Sequence, residues 1–130
     1  MRIEGTVVRG KQIGRTLGFP TANVQAETIS GSGPDGVYAA FFTVDENRHL
    51  CMVNIGHHPT LPEGGKTIEA HVFDYTGDLY GRHVIIETTD YIRGEQRFSS
   101  AEELRLQLER DKITARELLT GIKHSPSGIE

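Results

Sequence analysis

Short apolar runs alternate with glycine, proline, asparagine and aspartate through the first 98 residues, and this punctuation constrains the fold more than any other feature of the chain. Runs so short, cut so often, make strands and turns. Strands are expected over residues 3–9, 37–44, 50–55, 67–73 and 84–92. Asp45-Glu46-Asn47 separates the second from the third, and Gly77-Asp78 precedes the fifth. Strands joined by short turns pair antiparallel, and several in so small a chain point to a closed β-barrel. Two connections are long, 10–36 and 56–66, and long loops in a compact domain often carry function.

The chain ends differently. Ser99-Ser100-Ala101-Glu102-Glu103 offers two overlapping capping boxes, Ser99 with Glu102 or Ser100 with Glu103. Ala101, Leu104, Leu108, Ala115, Leu118 and Ile122 then recur at helical spacing, with Gly121 as the stop. This predicts one amphipathic helix lying on the barrel, so that residues 1–122 form one domain and 123–130 a flexible tail. Apolar residues make up 36% of the chain, and with its 15 glycines the composition is ordinarily globular, so a core can form without staples. A net charge of −4 and the lack of a basic stripe argue against a nucleic-acid partner and against an RNA-binding barrel of the translation-factor kind. The single cysteine, Cys51, excludes an internal disulfide framework and fits a reducing, cytoplasmic setting. The N-terminus has no apolar run behind its charge, and no apolar stretch approaches the roughly 18 residues of a membrane span, so neither a signal peptide nor a membrane partner is expected.

Two phosphate-binding patterns fail on inspection. Gly5, Gly10 and Lys11 have P-loop spacing, but Gln12 stands where a hydroxyl should meet magnesium, and Gly14, Gly18 and Pro20 follow where a helix should open. The segment reads as a strand running into a loop. Gly31-Ser32-Gly33-Pro34-Asp35-Gly36 spells a dinucleotide fingerprint, yet it precedes a strand and Pro34 removes a donor from the would-be nest.

The stretch richest in chemistry is Gly10-Lys11-Gln12-Ile13-Gly14-Arg15-Thr16-Leu17-Gly18-Phe19-Pro20-Thr21-Ala22-Asn23. Its glycines let backbone N–H groups approach a phosphate, and Arg15 adds a cation that phosphate oxygens can use. Pro20 drives Phe19 out of the helical region. If the chain stays extended, Thr21 and Asn23 face the same side and offer two hard oxygen donors suited to magnesium already carrying phosphate. A glycine-rich turn whose Thr21 and Asn23 bond only the backbone fits the same residues.

In Thr67-Ile68-Glu69-Ala70-His71-Val72-Phe73, alternation puts Ile68, Ala70 and Val72 on one face and Thr67, Glu69, His71 and Phe73 on the other. Glu69 is then either a strand-borne general base or an ordinary exposed glutamate. His57, His58 and Cys51 match no zinc spacing, and His71 reads as a packing or hydrogen-bonding histidine. Arg93, Gln96 and Phe98, between the last strand and the helix cap, could hold a polar heterocycle or form a solvated connector.

Taken in order, Val7-Val8-Arg9-Gly10, Gly14-Arg15-Thr16-Leu17-Gly18-Phe19-Pro20-Thr21-Ala22-Asn23, Gly36-Val37-Tyr38, Asn54-Ile55-Gly56, Pro59-Thr60 and Thr67-Ile68-Glu69-Ala70-His71 resemble the riboflavin kinase family. So do Asp78-Leu79-Tyr80-Gly81, Tyr91-Ile92-Arg93 and the Glu95, Phe98 and Ser100 positions. The resemblance runs from about residue 3 to about residue 119. It is to the bacterial form, usually the C-terminal half of a bifunctional FAD synthetase, so the chain is expected to be a stand-alone kinase or an excised domain.

The resemblance implies a mainly β fold, a six-stranded antiparallel Greek-key barrel with one C-terminal helix. It implies an ATP:riboflavin 5′-phosphotransferase that makes FMN, a magnesium-dependent, flavin-binding monomer with ATP and riboflavin as its partners. Thr21 and Asn23 would bind magnesium and nucleotide phosphate, and Glu69 would be the catalytic base. Gly10, Gly14, Arg15, Gly18 and Pro20 would cover the phosphates. Val72, Asp74 and Tyr80 would lie near ATP, and Arg93, Gln96 and Phe98 near the flavin. His57-His58 departs from the arginine or polar residue that relatives often carry before Pro-Thr, and Gly94 loosens the flavin loop. A flavin- or nucleotide-binding regulatory module without catalysis is the alternative.

Overall fold

The computed structural model describes residues 1–10, 17–57 and 65–122. Among them six strands close into a barrel: β1 (Arg2–Val8), β2 (Ala22–Ser30), β3 (Gly36–Val44), β4 (Asn47–His57), β5 (Lys66–Val72) and β6 (His83–Arg93), followed by helix α1 (Ala101–Thr120). The order around the barrel is β1-β2-β5-β4-β3-β6, and every pairing is antiparallel. Because β3, β4 and β5 follow one another and β6 returns beside β3, the topology is a Greek key. The expected tail, 123–130, lies outside the described residues.

Five strands fall where the alternation placed them. The sixth, β2, lies inside what the residues alone suggested was one long connection, 10–36. Its signal is brief: Ala22 and Val24 are buried, but from Gln25 onward the strand is mostly solvated. The strand is held instead by its full-length pairing with β1. Gly5 makes that pairing possible, since a Cβ there would stand 2.2 Å from the carbonyl oxygen of Gln25, beside the bulge at Glu4/Gly5. The near-P-loop glycine is thus a strand residue, and Gly36, the last letter of the dinucleotide-like pattern, opens β3.

Inward-facing Ile3, Val24, Phe42, Val53, Ile68, Ala70, Val84 and Ile86 fill the barrel. A second apolar cluster covers its outside, where Val37, Ala39, Met52, Phe19 and Phe73 meet Ala115, with Leu108 and Leu119 against them. This two-sided burial explains the unbroken buried run at the start of β3. The helix begins as one of the capping boxes foresaw: Glu103 N–H donates to Ser100 Oγ at 3.1 Å, while the Glu103 carboxylate turns back to Ser99. It ends at Gly121, whose φ of 73° is left-handed and whose N–H bonds the Glu117 carbonyl.

The stripe α1 buries differs from the expected one. Leu118 and Ile122 face solvent and Ala101 is exposed, while Leu104, Leu108, Asp111, Ala115 and Leu119 follow the barrel side. The centre of that stripe is a carboxylate, which broke the apolar pattern. Asp111 is 1% exposed and takes three bonds from the Arg93 fork, 3.0 and 2.9 Å from Nε and 2.8 Å from the terminal nitrogen, with Gln107 adding a fourth at 2.9 Å. The pair pins the end of β6 to the middle of α1. Asp111→Ala would leave the guanidinium buried without its partner. It is expected to cost about 3–5 kcal/mol in urea unfolding, against well under half that for a surface substitution such as Glu109→Ala.

Candidate functional site

β5 is the strand that assembles the site. Antiparallel pairing sets Ala22 opposite Ala70 and Asn23 opposite Glu69, and on the other flank Asn54 of β4 also lies opposite Glu69. Directly paired residues share a face. Since Ala22, Ala70 and Val53 point into the barrel, Asn23, Glu69 and Asn54 form a polar row on the outside. Thr21, one residue before β2, completes the group. Its hydroxyl lies close enough to Glu69 to lower that carboxyl's pKa, yet Oγ1 is buried and meets no hydrogen-bond geometry in full. The chain therefore brings Thr21, Asn23 and Glu69 together, two from the first long connection and one from a central strand.

Their surroundings are set by close backbone approach. Gly10 lies over the Asn23 side chain, where a Cβ would stand 2.4 Å from its carboxamide carbon. Beside them opens a cleft of about 620 Å³, walled by residues 7–9, 20–23 and 75–80 with Ala70 and Val72. Pro20, Thr21, Asn23, Val72 and Tyr80 thus line one hollow. Arg9, whose segment carries no local signal of a site, stacks its guanidinium 4.3 Å from the Tyr80 ring at the same wall. Asn54 was missed as well, because only its register, and nothing in its own segment, links it to Glu69.

Gly14, Arg15 and His58 lie outside the described residues. Gly18 has a φ of 84° and borders a hollow that α1 also lines. Asp74 turns toward the helix, where Arg116 bonds it at 3.0 Å, and is not in the cleft wall. The Arg93 guanidinium is taken up by Asp111 and by the Gly94 carbonyl, with the Phe98 ring 5.8 Å away. Gln96 is exposed. Glu95 leans over Gly56, so the segment after β6 passes near the β4–β5 edge that carries Glu69. His57 bonds Asp35 at 2.6 Å on the loop before β3.

The polar row is electrostatically tense. Burial pushes the Glu69 carboxyl above the usual glutamate range, and the Thr21 hydroxyl only partly opposes it. A group raised in this way stabilises the fold below its unfolded value, about 4.5, and loses that contribution as pH rises through its higher folded value. Glu69→Gln should accordingly raise the melting temperature at pH 7–8, with the gain shrinking toward pH 4. Equal gain at both ends of a pH series of melts would contradict it. The donor set also fits magnesium: Thr21 offers a buried oxygen without a full partner, and Asn23 a carboxamide oxygen on the same edge.

Comparison with known proteins places these features in a family. The profile of Flavokinase, described as riboflavin kinase, matches residues 1–119. The chain is 44% identical over 116 residues to the bifunctional riboflavin kinase/FMN adenylyltransferase of Escherichia coli K12, covering 88% of this chain and 37% of that protein. It is 46% identical over 110 residues to the RNA-binding riboflavin kinase RibR of Bacillus subtilis, covering 84% and 47%. It thus spans less than half the length of each of these two relatives. A solved Streptococcus pneumoniae structure described as a macrolide-efflux protein superposes with a TM-score of 0.82 at 31% identity, over 88% of this chain and 38% of the other. Riboflavin kinase from Trypanosoma brucei, at a TM-score of 0.62 and 23% identity over 92% and 79%, shares the fold. With the barrel, the helix and the Pro20–Asn23 entry into β2 in place, the match across residues 1–119 means that the chain belongs to the riboflavin kinase family.

Proposed function

We propose that this chain transfers the γ-phosphoryl group of ATP to the ribityl 5′-hydroxyl of riboflavin, giving FMN and ADP. The observation that supports this most is the convergence of Thr21, Asn23 and Glu69 on one edge beside a cleft large enough for a nucleotide. Phosphoryl transfer asks a protein for alignment, charge neutralisation and a primed acceptor. Thr21 and Asn23 would hold magnesium, which when bound neutralises charge on the phosphate oxygens. Pro20, Val72 and Tyr80 form walls against which the nucleotide would lie.

Glu69 orients the 5′-hydroxyl and takes its proton as the new O5′–P bond forms and the bond from γ-phosphorus to the β,γ-bridging oxygen breaks. A carboxylate whose affinity for protons is raised by burial is the better base. The segment from Arg93 to Phe98 would border the flavin, with Gln96 and Phe98 free to reach it and Arg93 holding the loop through Asp111. Binding both substrates as a cytoplasmic monomer without nucleic acid is part of the same proposal; the net charge of −4 and the buried, free Cys51 support it. No described helix is long and apolar enough to cross a membrane.

The deciding experiment incubates the protein with riboflavin and Mg-ATP or Mg-CTP and follows FMN by chromatography. FMN should form, and riboflavin returned unchanged by the folded protein would leave only a binding module. Glu69→Gln should lower kcat by about 10²- to 10⁴-fold with little change in nucleotide affinity. Thr21→Val, which deletes a buried oxygen that lacks a full partner, should leave stability within about 1 kcal/mol yet weaken Mg-ATP binding. An unchanged magnesium dependence in that variant would count against the Thr21 assignment.

A further inference from the structure

Building on the phosphoryl-transfer reading above, we propose that His71 is a positioning residue, which by donating from Nδ1 to the carbonyl oxygen of Pro20 fixes the peptide that presents Thr21 to the nucleotide phosphates. The bond is 2.7 Å long and spans 51 positions of sequence. A carbonyl can only accept, so Nδ1 carries a proton, and in the neutral ring Nε2 is then the bare nitrogen. Nε2 is buried and has no hydrogen-bond partner among the described residues. A histidine that leaves one nitrogen unsatisfied forgoes free energy that Leu or Phe would keep at this place, and that cost points to a use for the other nitrogen.

The ring is held so that this bond has little freedom. It is 7% exposed. Phe19 meets it edge-on at 5.3 Å and Phe73 is tilted at 5.7 Å. From α1, Lys112 reaches over both phenyl rings and Arg116 over Phe73. With Asp74 beyond them, these are the charged groups that face the ring from its packed neighbours; burial first, then Lys112 and Arg116, push its pKa below the usual histidine value, while the Pro20 bond and Asp74 oppose them. The anchored peptide needs an anchor. Pro20 has no N–H, and the β2–β5 ladder begins only at Ala22. Residues 19–21 therefore enter the sheet from outside it, and His71 ties them to β5.

The location makes the tie functional as well as structural. His71 and Glu69 lie two residues apart on the same outer face of β5. One rigid strand then carries the base and, through His71, the turn bearing Thr21, so donor and acceptor sides are set in one frame.

Three variants test this, because the carboxamide nitrogen of asparagine can stand where Nδ1 stands, that of glutamine reaches the Nε2 position, and leucine offers neither. FMN formation is measured at varied Mg-ATP and at varied riboflavin, with Mg-ADP binding followed by calorimetry. His71→Gln and His71→Leu should raise the KM for Mg-ATP and the Mg-ADP Kd by about five- to tenfold. The KM for riboflavin should stay within about twofold, and His71→Asn should remain within about twofold of the wild type throughout. Equal shifts in the asparagine and glutamine variants, an unmoved Mg-ATP KM in the leucine variant, or a riboflavin KM that rises as far as that for Mg-ATP would overturn the proposal. If the glutamine and leucine variants do not fold, amide exchange at Thr21 and Ala22 in His71→Asn decides: wild-type protection supports the tie, and its loss refutes it. Should the wild-type chain form no FMN, the phosphoryl-transfer reading itself falls, a result distinct from any of these.

Discussion

The short ladder between β2 and β5 is the contact on which everything else rests. It consists of two register pairs, Ala22 with Ala70 and Asn23 with Glu69. The first pair points into the barrel and closes its core. The second points outward and creates the polar edge. A slip of one residue would reverse both, sending a carboxylate inward and an alanine to the surface. The hydrophobic demand that Ala22, Val24, Ile68 and Ala70 face the interior therefore fixes the polar geometry as well. Folding and site assembly are one event at this seam.

The rest of the scaffold keeps that seam in place. Gly5 lets β1 lie close against β2, and β1 and β6 complete the closure on the far side. The helix covers β3, β4 and β6 from outside, held by the second apolar cluster and by the Arg93–Asp111 pair. A desolvated ion pair adds less to stability than its geometry suggests, because both charges lose water. Its plainer consequence is orientation: it decides which stripe of α1 meets the sheet and fixes the start of the segment that runs past Glu95 toward Phe98.

Stability is given up where ligands would bind. Glu69 is partly desolvated, the Thr21 hydroxyl lacks a complete partner, and His71 leaves a ring nitrogen unsatisfied. Each could be replaced by a residue that the fold would prefer. All three lie along a few residues of β5 and the turn before β2. Such clustering is expected where a protein holds polar groups ready for a substrate instead of satisfying them internally.

The sequence by itself determined the class of structure and most of its parts. Alternation over 67–73 named both faces of β5, glycine and aspartate marked the turns, and Ser100, Glu103 and Gly121 set the limits of the helix. These signals are local, since they arise from backbone preference and from which side chains avoid water. Only the tertiary structure decided the rest. β2 carried too little alternation to stand out alone and exists through its partner strands. Asp111 looks like a surface residue until Arg93 meets it, and their bond ties the end of β6 to α1. Asn54 and His71 acquire their places only through register and through a bond across 51 positions. Contacts between distant segments depend on how the chain closes on itself, and that closure is a property of the whole barrel which no single stretch of residues can display.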